Sequence, residues 1–250
     1  MQILLTQVRS EQLHTEMRIA SAAYLASFVA RARFLPLEAV LDAVGQLLHW
    51  ASEYQQVQLA RQAGQPVALD VQLHGVFYSA VQGLLYVLCF KQVQLSSDEA
   101  AGFRQTLTPL LQALLDGPLN PLKFCQENVV AEFEKLQLCE CAHIIAANER
   151  TAVGSHNVGG GANRLDDFFP FDPLLLKHSS ERVQPLYKTW EPLHDDPRES
   201  NCSSEPSASL GTSFQQMSVT PDDLDSLMRQ RLKEQAHSPY VATMTGGFPR

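Results

Sequence analysis

Residues 17–51 read MRIASAAYLASFVARARFLPLEAVLDAVGQLLHWA, two apolar-periodic segments separated at Phe34-Leu35-Pro36-Leu37. In the first, Met17, Ala20, Tyr24 and Phe28 recur at three- and four-residue steps. In the second, Leu37, Val40, Leu41, Val44, Leu47, Leu48 and Ala51 do the same, so each segment predicts a helix with one apolar stripe. Pro36 disfavours helix at Leu35 and suits the first turn of the next helix, which predicts helix, short turn, helix.

The same pattern continues downstream. Residues 62–66 read as a loop, and the alternation of Val67, Leu69, Val71 and Leu73 is better taken as a lead-in, because one isolated strand has no partner. Asp70 lies near the N-terminus of a helix running through Phe90. Asp98 marks the next start, with Phe103, Leu107, Leu110, Leu111 and Leu114 on one face until Gly117-Pro118. Val129, Val130, Phe133 and Leu136 repeat the stripe after Pro121, and Cys141, Ile144 and Ile145 follow on another helical segment. The longest apolar run, Val76 to Phe90, is shorter than the roughly 18–20 residues of a membrane span, so it reads as a buried helix and no membrane is expected. Helices in succession without a strand set predict an all-α fold, a HEAT-repeat-like helical solenoid, with a plain helical bundle as the alternative.

Composition divides the 250 residues in two. Residues 1–194 form the expected helical domain, and residues 195–250 a Ser/Pro-rich disordered tail in which Thr220-Pro221-Asp222-Asp223 would start a short helix at 221–233. The chain is 45% hydrophobic, enough for a core, and its net charge of -8 argues against coating phosphate backbones or anionic lipid. Five cysteines, Cys89, Cys125, Cys139, Cys141 and Cys202, are odd in number and four lie in apolar stretches, which suits reduced thiols in an intracellular protein.

No catalytic, cofactor-binding or metal-binding residue is expected. Cys139-x-Cys141-x-His143 lacks a second ligand pair, and residues two apart on a helix diverge. Gly159-Gly160-Gly161 lacks the Gly-Lys-Ser/Thr of a phosphate loop, and Ser155-His156 lacks a nucleophile elbow. His74 and His143 read as packing residues, and Asp166-Asp167 and the Asp222, Asp223, Asp225 set as helix-start charges. Arg31 and Arg33, followed by Phe34, form the tightest basic pair in a sparsely charged region. They are either a helix-end pair facing the macrodipole or a partner-binding edge.

Five blocks in order resemble the RNA polymerase I-specific transcription initiation factor family: residues 25–37 around Ala30-Arg31-Ala32-Arg33-Phe34, then Leu73-His74-Gly75-Val76-Phe77-Tyr78-Ser79-Ala80, then Leu119-Asn120-Pro121-Leu122-Lys123. The last two are Leu165-Asp166-Asp167-Phe168-Phe169-Pro170-Phe171-Asp172-Pro173 and Pro185-Leu186-Tyr187-Lys188-Thr189-Trp190-Glu191. The resemblance implies a non-enzymatic scaffold that bridges RNA polymerase I to promoter-bound initiation factor subunits in the nucleus and nucleolus. The alternative is an adaptor making a local DNA contact through the Arg31/Arg33 edge.

What matches resembles the family's C-terminal half, so the chain reads as truncated. Leu4, Leu5, Val8 and the Met17–Phe28 stripe are then expected to expose apolar surface, which leaves a homodimer open. Phe168, Phe169, Phe171 and Trp190 are expected to dock on the last helices. Ser204, Thr220 and Ser238 are the candidate phosphorylation sites. Exchange of Arg31 and Arg33 for Glu is expected to spare melting and abolish partner recovery.

Overall fold

The computed structural model describes residues 1–61, 68–154, 180–188 and 190. Its helices are α1 (Gln2–Arg9), α2 (Thr15–Arg31), α3 (Leu37–Arg61), α4 (Val71–Phe90), α5 (Gln92–Leu95), α6 (Ala101–Leu115), α7 (Glu127–Lys135), α8 (Ala142–Gly154) and α9 (Ser180–Val183). Three single 3-10 turns, Asp98–Ala100, Pro121–Lys123 and Gln184–Leu186, join them, and among the described residues the only extended pairing is one antiparallel bridge, Ala32 with Tyr187. The fold is all-α.

α4 is the centre. It carries no Asp, Glu, Lys or Arg, and every residue from His74 to Phe90 is buried. By length and composition it could cross a membrane, but 94% of its most apolar window is covered by the rest of the molecule, as suits a core helix. Asp70 stands at its N-terminus, where the sequence puts it, and the structure shows that it caps the helix, its carboxylate accepting from the Gln72 N–H at 2.8 Å. α2 runs along α4, from Ile19 beside Gly75 to Arg31 on Tyr86, and α3 and α7 also pack on this helix.

A helix buried along most of its length must still satisfy its polar side chains, and four of them here bond to neighbouring segments. Ser79 donates to the Ile19 carbonyl on α2 at 3.4 Å, and Tyr78 donates to the Leu119 carbonyl at 3.1 Å. Gln82 Oε1 accepts from the Gln126 N–H at 2.7 Å and so holds the start of α7. Tyr86 accepts from Arg31 at the end of α2. The polar residues of α4 thus fix the register of its partners while its apolar residues supply the burial.

The α2 stripe is the reverse of what its spacing suggests. Met17 and Tyr24 are 51% and 44% exposed, and the buried face is instead Ala22, Leu25, Ala26, Val29 and Ala30. Small side chains let α2 approach α4 closely: a Cβ built on Gly83 would stand 2.8 Å from the Ala26 Cβ. That atom is fixed to the α2 backbone and cannot swing aside. Gly83→Ala should therefore destabilise by about 1–3 kcal/mol despite the better helix propensity of alanine, as overpacking does. A rise in the urea midpoint would contradict the close approach.

The second stripe is as expected, with Val40, Val44, Leu47, Leu48 and Ala51 buried. On α6 Leu107, Leu111 and Leu114 are buried, while Leu110 is exposed. Leu5 and Val8 are also buried, against the expectation of an open apolar end there, because α1 packs on α2 and α3. Asn120 adopts a left-handed conformation, φ 43°, which Asn tolerates better than most residues, and its amide exchanges two hydrogen bonds with Asn148 on α8 at 2.7 and 3.2 Å. Pro121 then opens the next turn with its fixed φ.

Candidate functional site

The C-terminal end of α2 is where the basic pair lies, and the structure separates its two members. Arg31, the last helical residue, is 2% exposed and turned onto α4. Its Nε donates to the Tyr86 hydroxyl at 2.9 Å, and its guanidinium also donates to the Tyr187 hydroxyl. Its Cζ lies 5.8, 5.0 and 4.9 Å from the ring centroids of Tyr86, Phe90 and Tyr187. This corrects the grouping of Arg31 with the partner-binding edge: a side chain enclosed by three aromatic rings offers nothing to a docking surface. Planar guanidinium suits this box in a way a lysine would not.

The box is closed by residues 184–188 and Trp190, which meet the ends of α2 and α4 as a strap. The Lys188 N–H donates to the Arg31 carbonyl at 2.7 Å and the Arg33 N–H to the Leu186 carbonyl at 2.9 Å. Trp190 packs on Phe90 with ring centroids 4.9 Å apart. The aromatic segment therefore docks, at Trp190, on the ends of α2 and α4 and not on the last helices; Phe168, Phe169 and Phe171 lie outside the described residues.

Two lysines finish the same helix ends. Lys91 Nζ donates to the Ala32 carbonyl at 3.0 Å, and Lys188 Nζ donates to the Phe90 carbonyl. Cations at the carbonyl end of a helix offset its macrodipole. Burial, and secondarily the charge of Lys188, pushes the Lys91 ammonium down to about 8. A folded pKa below the unfolded one means that folding favours the neutral amine. Its contribution to stability is complete only above the unfolded value near 10.5 and is lost as pH falls through about 8. Lys91→Met should accordingly stabilise the fold at pH 7 by about 1–3 kcal/mol, a gain that shrinks toward pH 10.5. Equal or lower stability at pH 7 would show that the Ala32 bond outweighs the desolvation.

Beyond Arg31 the chain turns outward. Arg33 and Phe34 are exposed, Phe34 at 58%, and the Phe34 ring meets Phe28 edge-on at 6.1 Å. Leu186 of the strap is exposed beside the Arg33 backbone. Met17, Tyr24 and Phe28 continue along one face of α2 at spacings of seven and four residues. The result is an apolar ridge with Arg33 beside it. Met17, Tyr24 and Leu186 were not among the site residues read from the sequence. The spacing on α2 was visible there, but its direction was not.

A family model described as RNA polymerase I specific transcription initiation factor RRN3 matches residues 1–195. The chain belongs to this RRN3 family. The Mus musculus RNA polymerase I-specific transcription initiation factor RRN3 is 38% identical over 187 residues, covering 70% of this chain and 28% of that protein. The Schizosaccharomyces pombe protein of the same description is 30% identical over 203 residues, 76% of this chain and 33% of that one. The chain thus spans about a third of the length of these RRN3 relatives. A crystal structure of RNA Polymerase I Transcription Initiation Factor Rrn3 superimposes with a TM-score of 0.61 at 24% identity, over 75% of this chain and 40% of that chain. The fold is that of the RRN3 helical solenoid.

Among the RRN3 blocks read from the sequence, Leu73-His74-Gly75 sits at a break in α4, where His74 has φ -110° and ψ 15°. His74 is fully buried, its Nδ1 2.9 Å from the Tyr54 hydroxyl, and burial holds its pKa below the usual value. Burial likewise raises the thiols of Cys89, Cys125, Cys139 and Cys141. His143 is exposed, 3.4 Å from Asp116, and among the described residues no cluster of His, Cys, Asp and Glu could hold a metal ion. Ser155-His156, Gly159 to Gly161, Asp166-Asp167, and the tail with Ser204, Thr220, Ser238 and residues 221–233 lie outside the described residues.

Proposed function

We propose that the chain acts in RNA polymerase I transcription initiation as a protein scaffold between the polymerase and promoter-bound factor subunits. The reading places it in the nucleus and nucleolus and gives it no catalytic step. Membership of the RRN3 family supplies the process, and one observation of this chain supports the mode of action. The ridge of Met17, Tyr24, Phe28, Phe34 and Leu186 is apolar, and Arg33 flanks it. Aromatic and methionine side chains with an arginine are the composition enriched at interface cores.

Combined Arg33→Glu and Phe34→Ser should reduce recovery of RNA polymerase I and its initiation factors from nuclear extract by about tenfold or more, with melting unchanged. Unchanged recovery would move the interface elsewhere, and a shift from dimer to monomer would make the ridge a contact between copies. The DNA-adaptor reading has lost one of its two arginines to the interior. It still predicts recovery of promoter DNA that falls log-linearly with salt, whereas the scaffold reading predicts salt-tolerant protein recovery. Phosphorylation at Ser204, Thr220 or Ser238 is proposed as the control on this assembly.

A further inference from the structure

The molecule also carries a groove built from elements that take no part in the ridge. It encloses about 630 Å³ between the Pro121–Lys123 turn, α7 and α8. Leu122, Val130 and Ile145 give it an apolar lining. Its charge is one-sided: Glu127, Glu132, Glu134 and Glu149 line it against Lys123 and Lys135, and Lys135 is already paired with Glu132 at 2.8 Å. No ion pair among the described residues engages Glu127, Glu134 or Glu149. Glu127 and Glu134 are on α7 and Glu149 is on α8, so the acidic groups come from both walls.

We propose that this groove is the docking site for a segment of the chain's own tail, Leu227-Met228-Arg229-Gln230-Arg231-Leu232-Lys233. The fit is one of charge and apolar content. Those seven residues hold three cations, no acid and three large apolar side chains, in a chain whose net charge is -8. Arginine and lysine stems cover apolar surface while their heads reach a carboxylate rim, which is the geometry an acid-edged apolar groove offers. Reach does not limit the contact. From Trp190 to Leu227 the chain has 37 residues, about 120 Å when extended and about 35 Å root-mean-square as a coil, against a domain about 40 Å across. A tether of that length holds the segment at an effective concentration in the millimolar range, so weak intrinsic affinity suffices. While seated, the segment keeps other basic peptides out of the groove.

The test uses the full chain at low concentration with a carbodiimide, which forms an amide directly between an ammonium and a carboxylate in contact. Lys233 should link to Glu127, Glu134 or Glu149, identified by mass spectrometry of the monomer fraction. Arg229→Glu with Arg231→Glu should cut that yield about tenfold without altering the melting of the helical domain. Glu134→Lys with Glu149→Lys should do the same, and the combined charge swap should restore docking, read as renewed hydrogen-exchange protection of α7. Links from Lys233 only to other sites, a yield indifferent to both reversals, or links found only between isotopically distinct copies would each overturn the proposal.

Discussion

Arg31→Ala is expected to lower unfolding free energy by about 3–5 kcal/mol, while Arg33→Ala, two residues away, changes it by less than about 0.5 kcal/mol. Truncating Arg31 empties a box walled by Tyr86, Phe90 and Tyr187 and withdraws the donor from two buried hydroxyls at once. Arg31→Met separates the causes, because it fills the space with an apolar stem and removes a buried cation, and should recover much of the loss. Urea midpoints of the three variants measure this directly. Similar values for Arg31→Ala and Arg33→Ala would mean that Arg31 is not a clamp. The consequence for partner-binding experiments is that a double Arg31/Arg33 charge reversal reports mostly on folding.

Trp190→Ala should cost about 3–5 kcal/mol at the strap, the range for a buried aromatic truncation. Trp190 is 7% exposed and packs on Phe90, the last residue of α4, with the two rings tilted by 56°. Losing it should unzip the strap before the domain unfolds, so the amides of Arg33 and Lys188 should lose hydrogen-exchange protection first. A double-mutant cycle with Phe90→Leu should show coupling of about 0.5–1.5 kcal/mol. Full protection of both amides in the Trp190 variant would show that the Ala32–Tyr187 bridge stands without the indole.

Local chemistry was legible wherever its cause lay within a few residues. Asp70 marks the start of α4 because an acidic residue suits a helix N-terminus, and the α3 stripe is buried because large residues mark it. The α2 face was misread because Ala22, Ala26 and Ala30 carry little hydrophobic signal beside Met17 and Tyr24. What selects the alanine face is Gly83, more than fifty residues away. The arginine pair shows the same limit. Arg31 lies four residues after Ser27, which is fully buried, so the helix register turns it inward too, but a serine gives no sign in the sequence that it faces the core. Its partners Tyr86 and Tyr187 are 55 and 156 residues distant, beyond any windowed reading. The groove had no signature, since Lys123, Glu134 and Glu149 meet only after folding.

The Ala32–Tyr187 bridge also has a meaning for biosynthesis. α2 and α4 are both translated by residue 90, yet the segment that closes over their ends includes Tyr187 and Trp190. At about 5–20 residues per second, the ribosome needs about 5–20 s to cover that interval. Throughout it the Arg31 guanidinium and the Phe90 ring face solvent or nascent-chain chaperones, and closure of the aromatic box becomes a late signal that the polypeptide has been synthesised through the strap.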